Sequence, residues 1–207
     1  MLHQLDLFAT GAADFDADFS TVRRVILADG AWVDHAPGWV RGHDALFEEL
    51  ARGLPWRREK MRMYDKIVDV PRLLARVSRD GAGQPLIEQM RRAISVRYGE
   101  AFVYSSAALY RDGGDSVAFH GDTTAREMDQ ALVATVSLGA PRRFLMRRKD
   151  GGESVALALG RGDLIVMGGT FQRTWRHGIP KVASAAARIS IMFRPGWAKN
   201  YRTSVEE

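Results

Sequence analysis

The sequence contains no cysteine among its 207 residues, which excludes disulfide bonds, thiolate metal sites and cysteine nucleophiles. Any metal site must use histidine, aspartate or glutamate, and there are five histidines. No apolar run approaches the length of a membrane span. The first twenty residues are interrupted by acids and small residues, unlike a signal peptide. We therefore expect a monomeric cytoplasmic protein without membrane contact.

The charge balance is basic, with a formal net charge of +5 and a pI of about 9.8. A basic chain favours a polyanionic partner such as nucleic acid, although many proteins simply have a basic surface. Hydrophobic residues make up 46% of the chain, which is enough to bury a substantial core.

The N-terminal half combines short strands with helices. The first twenty residues are interpreted as a loosely held arm. Strands are predicted over residues 22–27 and 31–35 from their β-branched and aromatic residues. Helices are predicted over residues 43–52 and 85–98, because apolar side chains recur there at helical spacing.

After Gly99 the sequence becomes a series of short β-rich runs separated by glycine-rich turns. This spacing is typical of an antiparallel sandwich or jelly roll. We predict an α+β fold with a mainly β core, in which helices pack around a double-stranded β-helix. A single domain is expected over residues 1–207, with an N-terminal extension over 1–99 and a jelly-roll core over 100–196. The predicted strand runs are AFVYSSAALY, QALVATVSL, RRFLMRR, ESVALAL, DLIVM, FQRTW and ARISIMF.

Residues 52–72, RGLPWRREKMRMYDKIVDVPR, carry seven lysines or arginines with two aromatic residues between them. One interpretation is a solvated connector whose aromatic residues pack inward. The other is a lid facing a substrate, because cations neutralise phosphates and an aromatic face stacks on a base.

Two histidines and one aspartate form a candidate metal site. His120 and Asp122 are two residues apart, so an extended backbone points both side chains to the same side. His177 lies beyond several predicted strands. Two histidines and one carboxylate on a non-haem iron leave coordination positions open, as oxygen-activating iron enzymes require.

Two arginines follow on the last predicted strand. Arg188 and Arg194 are six residues apart, so an unbroken strand directs both to one face. If that face is the interior, a dicarboxylate held by bidentate contacts is a suitable partner for buried guanidinium groups. If Ile189, Ile191 and Phe193 form the core face, the arginines point outward. The alternation fits both arrangements.

Several stretches together resemble the AlkB family of iron- and 2-oxoglutarate-dependent dioxygenases. The matching stretches are LYRDGGDSVAFHGD, VSLGAPRRF, GDLIVMGGTFQRTWRHGIPK and RISIMFR, in the family's order, over about residues 100–195. Upstream, VDVPR at 68–72 resembles part of the family's nucleotide-recognition lid. The resemblance implies a jelly-roll dioxygenase whose lid lies in residues 1–99.

The resemblance also implies site roles and cofactors. Fe(II) is expected at His120, Asp122 and His177. The cosubstrates are 2-oxoglutarate and O2, and the residues expected to hold 2-oxoglutarate are Tyr110, Arg188, Ser190 and Arg194.

The implied substrate is alkylated DNA, with RNA as an alternative. The usual lesions are 1-methyladenine and 3-methylcytosine, which carry positive charge and must leave the base stack to be reached. Tyr64 is expected to stack on the flipped base, and Arg72 belongs to the lid motif. Thr124 stands at a further substrate position, where family members commonly have an acid.

The sequence departs from the family pattern at other positions as well. Ser190 replaces an asparagine that usually helps to bind 2-oxoglutarate, and Ala108 replaces another. Phe119 stands where tryptophan is frequent. Two other functions therefore stay open: the same chemistry on a small molecule or a protein, and a non-catalytic nucleic-acid binder.

Overall fold

The computed structural model describes residues 12–63, 66–78, 81–122, 125 and 128–197. In these ranges the helices are α1 (His43–Gly53), α2 (Leu86–Tyr98) and α3 (Phe171–Thr174). The strands are β1 (Asp14–Phe15), β2 (Arg23–Ile26), β3 (Ala31–Ala36), β4 (Val40–Arg41), β5 (Arg57–Met63), β6 (Lys66–Arg76), β7 (Phe102–Tyr110), β8 (Val117–His120), β9 (Val133–Gly139), β10 (Arg142–Arg148), β11 (Ser154–Leu159), β12 (Asp163–Gly169), β13 (Trp175–Ile179) and β14 (Arg188–Pro195).

Two antiparallel sheets form the body of the fold. The larger has the order β2-β3-β12-β9-β14-β7-β6-β5, and the smaller has the order β11-β10-β13-β8. Strands β12, β9, β14 and β7 face the four-stranded sheet across an apolar interior that includes Phe144, Met167 and Ile179. This is the predicted jelly roll. Of the strands before residue 99, β2, β3, β5 and β6 extend its larger sheet, and β1 and β4 pair in a separate two-stranded sheet.

Helices α1 and α2 cover the outer face of the larger sheet. Leu46, Leu50, Ile87, Met90 and Ile94 are fully buried against it. Burial of each such side chain stabilises the fold by roughly 1.5–3 kcal/mol. Both helices were predicted from their apolar periodicity, and both predictions are confirmed. Within the described ranges, no helix combines the length and the apolar character that crossing a bilayer requires.

Strand β14 is buried on both faces, which resolves the arrangement of its arginines. Ile189, Ile191 and Phe193 pack in the cluster beneath the helices. Arg188 and Arg194 point to the other side, between the two sheets, and are 1% and 7% exposed. The apolar residues therefore do form a core face, and the arginines are nevertheless interior.

The connector interpretation of residues 52–72 is wrong for most of that stretch, because β5 and β6 pair as an antiparallel hairpin at one edge of the larger sheet. The strands of this hairpin were not recognised in the sequence because they are rich in basic residues. An edge hairpin exposed to water does not need the apolar alternation that marks a core strand. Arg57, Arg58 and Lys60 are exposed on β5.

Two further predictions are corrected. Residues 12–20 are not a loose arm, because β1 pairs with β4 and the rings of Phe15 and Phe19 are buried around Trp39. The FQRTW run begins as helix α3 rather than as a strand. The amides of Arg173 and Thr174 both donate to the Thr170 carbonyl, which closes a helical turn before β13 begins at Trp175.

Candidate active site

A cavity of about 120 Å³ lies between the two sheets. Polar groups converge in it from several elements: β6, β7, β9, β13, β14, α3, and β8 with the residues after it. Apolar side chains close its base, among them Val133, Phe144 and Met167. A polar centre inside an apolar jelly-roll interior is costly unless something binds there, since buried polar groups need partners.

The two candidate histidine ligands are cross-strand neighbours at the cavity. His120 at the end of β8 pairs directly with His177 on β13, and the ring centroids are 4.4 Å apart. The His120 ring is partly open to solvent at the cavity mouth, whereas the His177 ring packs against Phe144 and Phe171. The β8–β13 pairing therefore brings together two residues that are far apart in sequence.

The pKa values of both histidines are shifted in the direction that favours the neutral form, which binds metals. Burial lowers the pKa of His120, and the charges of Arg72 and Arg194 act in the same direction. Burial also holds the pKa of His177 well below its usual value. The His120 Nδ1 atom lies 2.9 Å from the Ala118 carbonyl oxygen, so in the tautomer that donates this bond Nε2 is free as a ligand.

Asp122 is buried beside the histidines, 4% exposed. Its amide donates to Gln172 Oε1 at 2.9 Å, and its Oδ2 accepts from Arg194 Nε at 2.6 Å. Its Oδ1 is buried and meets no hydrogen-bond donor among the described residues. One carboxylate oxygen is thus neutralised by Arg194, and the other remains available.

These side chains do not form a closed ligand cluster: within the described ranges, no group of three His, Asp or Glu residues is arranged as a finished metal site. Arg194 engages one oxygen of Asp122 in an ion pair. The donor set nevertheless fits Fe(II) chemically. Two neutral imidazoles and one carboxylate make up the facial triad, and Asp122 Oδ1 and His177 Nδ1 are both buried without a partner in the described part of the chain.

Arg188 lies deeper in the same cavity, and two of its three guanidinium nitrogens lack an acceptor among the described residues. Its Nη2 donates to Ser137 Oγ at 2.6 Å. Its Nε and Nη1 are buried and find no acceptor in the described residues. Burial lowers the pKa of Arg188, with Arg142 acting in the same direction. A buried cation with two free donors is a receptor for a carboxylate.

The other predicted 2-oxoglutarate residues lie around Arg188. Tyr110 is 4% exposed, and its ring centroid is 5.2 Å from the Arg188 guanidinium carbon. Ser190, 5% exposed, lies opposite Ser137 on β9 and lines the cavity. Arg194 also lines the cavity, where it donates to Asp122.

The predicted substrate residues are described only in part. Arg72 on β6 lines the cavity and donates from Nη1 to the Ser116 carbonyl at 3.3 Å, which fixes it beside the strand that ends at His120. Tyr64 and Thr124 lie outside the described residues. All the other predicted site residues line the one cavity, and their roles in it stay predictions.

Sequence reasoning missed two buried polar residues that organise this site. Gln172 is 1% exposed and holds the Asp122 amide from α3. Arg142 is 3% exposed and donates to the carbonyls of Asp112, Asp115 and Pro180, so it ties the loop before β8 to the end of β13. Gln172 lies inside the FQRTW run five residues before His177, and that proximity was the available signal.

Comparison with known proteins agrees with this geometry. The sequence model of the 2OG-Fe(II) oxygenase superfamily matches residues 84–194, more than half of the chain. The chain therefore belongs to the 2OG-Fe(II) oxygenase superfamily.

Within that superfamily, the chain is similar to AlkB homologues. It is 31% identical over 182 residues to alpha-ketoglutarate-dependent dioxygenase alkB homolog 3 of Bos taurus, covering 76% of this chain and 64% of that protein. It is 26% identical over 187 residues to DNA oxidative demethylase ALKBH2 of Bos taurus, covering 78% of this chain and 67% of that protein. The structure of OsALKBH1 superposes with a TM-score of 0.54 at 14% identity, over 84% of this chain and 100% of that one, which confirms the jelly-roll fold.

Proposed function

We propose that this protein is an Fe(II)- and 2-oxoglutarate-dependent dioxygenase that removes N-alkyl groups from bases in nucleic acid. The observation that carries the proposal is the buried Arg188, whose two unpartnered nitrogens lie in the same cavity as His120, Asp122 and His177. A dicarboxylate beside a facial triad satisfies both sets of groups. The similarity to a DNA oxidative demethylase favours an alkylated base as the substrate.

Each part of the cavity has a distinct task. His120, His177 and the free Oδ1 of Asp122 would hold Fe(II). Arg188 would bind the remote carboxylate of 2-oxoglutarate, with Tyr110 beside it. The apolar part of the cavity wall lowers the local dielectric, which strengthens these charge interactions. When bound, Fe(II) would supply O2 activation coupled to decarboxylation of 2-oxoglutarate, giving succinate, CO2 and a hydroxylated N-alkyl group that leaves as an aldehyde.

Arg72 and the β5–β6 hairpin would bring the nucleic acid to this cavity. Arg72 is fixed at the mouth by its bond to Ser116, and Arg57, Arg58 and Lys60 lie exposed on the adjoining strand. Cations beside an opening into which one base must flip suit a phosphate backbone. We also propose DNA as the main substrate, because the chain is similar to DNA oxidative demethylase ALKBH2 of Bos taurus.

The test is succinate formation by the purified protein with Fe(II), O2 and 2-oxoglutarate. Oligonucleotides carrying 1-methyladenine or 3-methylcytosine are expected to stimulate succinate release, and unmodified oligonucleotides of the same sequence are the control. Equal release with both would point to uncoupled turnover or to another substrate. Stimulation by a peptide or small molecule in place of the alkylated base would favour the alternative hydroxylase function.

Replacing Gln172 with leucine is expected to weaken metal binding by roughly tenfold to a hundredfold, the usual effect of losing a group that orients a ligand. The substitution removes the acceptor for the Asp122 amide and keeps a buried side chain of similar size. Titration with Mn(II), followed by electron paramagnetic resonance, measures the affinity without turnover.

The matched control for this prediction is Gln89→Leu, because Gln89 is exposed on α2 away from the cavity. This variant should bind Mn(II) as the wild type does. If Gln172→Leu also bound Mn(II) with wild-type affinity, Gln172 would have no part in positioning Asp122.

A further inference from the structure

The outer face of the four-stranded sheet carries an exposed cationic surface that the proposed reaction does not use. On β10, Phe144 and Met146 point inward, and Arg143 and Arg147 point outward and are exposed. Arg176 is exposed on the neighbouring strand β13. None of these three arginines makes an ion pair with any described residue. We call Arg143, Arg147 and Arg176 the outer arginine face.

Two of these arginines lie directly opposite each other. Arg147 pairs with Arg176 in the antiparallel register of β10 and β13, so their side chains share one face of the sheet. Like charges at directly opposed positions destabilise a sheet. Because no described carboxylate offsets this repulsion, the arrangement works against folding and suits an external anion.

One of the two charges is held against the residue that precedes His120. The Arg147 guanidinium carbon lies 3.8 Å from the centroid of the Phe119 ring, so this side chain reaches across β13 to β8. Phe119 directly precedes His120. The cation–π contact limits the freedom of Arg147 and leaves its N–H groups available at the edge of the ring.

The outer arginine face and the basic hairpin both adjoin strand β8 and the residue before it. The Ser116 amide, just before β8, donates to the Pro71 carbonyl on β6 at 2.8 Å, and Arg72 donates back to Ser116. Strand β8 thus adjoins the hairpin on one side and the strands of the outer arginine face on the other. We therefore expect the phosphates on either side of a base that enters beside β8 to meet the two surfaces.

We propose that the outer arginine face binds backbone phosphates of the nucleic acid whose alkylated base enters the cavity. The inference rests on the proposed function, and it adds a second electrostatic contact surface opposite the hairpin. The chemistry is that of guanidinium groups on phosphodiesters. Those phosphates belong either to the damaged strand or to a complementary strand, and single-stranded and duplex probes distinguish the two.

The test is the salt dependence of binding for the variant Arg147→Gln/Arg176→Gln. The probes are a fluorescent oligonucleotide containing one 1-methyladenine and its duplex, titrated over a range of KCl concentrations. The slope of log affinity against log salt is negative. Losing two phosphate contacts should reduce its magnitude by about 1.4 on a single strand or about 1.8 on a duplex. Affinity should fall about tenfold or more at low salt.

The control variant is Arg23→Gln/Arg97→Gln, which removes the same charge from exposed positions on β2 and α2 and should leave the salt slope as in the wild type. Arg147→Lys/Arg176→Lys should recover most of the slope, since lysine also neutralises phosphate. The ratio of kcat/KM for the oligonucleotide to that for 1-methyl-dAMP should fall about tenfold in the glutamine variant.

The possible outcomes distinguish a failure of this inference from a failure of the proposed function. If the wild type repairs alkylated oligonucleotides and the glutamine variant binds them with the salt slope of the control variant, the outer arginine face is not a contact surface. If the wild type acts on neither 1-methyl-dAMP nor any alkylated oligonucleotide, the proposed function fails, and this inference fails with it. A loss of slope confined to the duplex assigns the phosphates to the complementary strand.

Discussion

His120→Ala is expected to abolish Fe(II)-dependent succinate formation, with a loss of roughly a thousandfold or more, because metal catalysis supplies several kcal/mol of transition-state stabilisation. The protein should stay folded. The His120 ring lies at the cavity mouth outside both apolar clusters, and it hydrogen-bonds to Ala118 in its own strand. The substitution therefore removes a proposed ligand and very little packing.

Succinate release, Mn(II) affinity and thermal unfolding together test this prediction. His43→Ala is the matched control, since His43 lies at the start of α1, away from the cavity, and it should keep wild-type turnover. Retention of Fe(II)-dependent succinate formation by His120→Ala would contradict the proposed triad. Retained nucleic-acid binding in a wild type that never forms succinate would favour a non-catalytic binder.

Arg188→Met is expected to raise the KM for 2-oxoglutarate by about a hundredfold or more while leaving the melting temperature unchanged or higher. The affinity loss follows from removing a charge-assisted bidentate contact. The stability effect follows from the cost of the buried charge, whose Nε and Nη1 lack acceptors among the described residues and whose pKa is lowered by burial. Replacing such a charge with an apolar side chain of similar volume is often neutral or stabilising.

Arg142→Met is the contrasting control. Arg142 is also a buried arginine, but its guanidinium group satisfies three backbone carbonyls. Its loss should cost about 1–3 kcal/mol for each carbonyl left without a partner and lower the melting temperature. If Arg188→Met were as destabilised as Arg142→Met and kept its KM for 2-oxoglutarate, Arg188 would be a structural cation and the proposed cosubstrate site would be wrong.

Local signals in the sequence predicted most elements of the fold. Helix α2 was predicted because Ile87, Met90 and Ile94 recur at helical spacing, and Gly99 ends it in the left-handed region at φ 64°. The strands of the jelly roll were predicted because glycine-rich turns separate β-rich runs. These features act over a few residues, so composition and periodicity report them directly.

Elements whose conformation depends on distant contacts were not predicted. The β5–β6 hairpin lacks an apolar alternation, and its strand state follows from pairing of β6 with β7. Helix α3 occupies a β-rich run because Phe171 is buried and Gln172 reaches the Asp122 amide. Short runs of this kind take their conformation from tertiary context rather than from intrinsic propensity.

The residues of the candidate site also divide into those that local sequence predicted and those that depend on distant contacts. His120, Asp122 and His177 were recognisable from residue type and spacing. The direction of Arg188 and Arg194 was not, because β14 is buried on both faces and either assignment satisfies the alternation. Arg142 and Gln172 depend on contacts 27 and 50 residues away along the chain, which no local pattern reports.

The most direct test of the central claim is mass spectrometry of a 1-methyladenine oligonucleotide after incubation with the protein, Fe(II), O2 and 2-oxoglutarate, with succinate measured in the same reaction. The oligonucleotide is expected to return to the mass of its unmodified form, with one succinate released for each base restored. Neither change is expected with His120→Ala. An oligonucleotide that keeps its methyl group while the wild-type protein converts 2-oxoglutarate to succinate would contradict the proposed function.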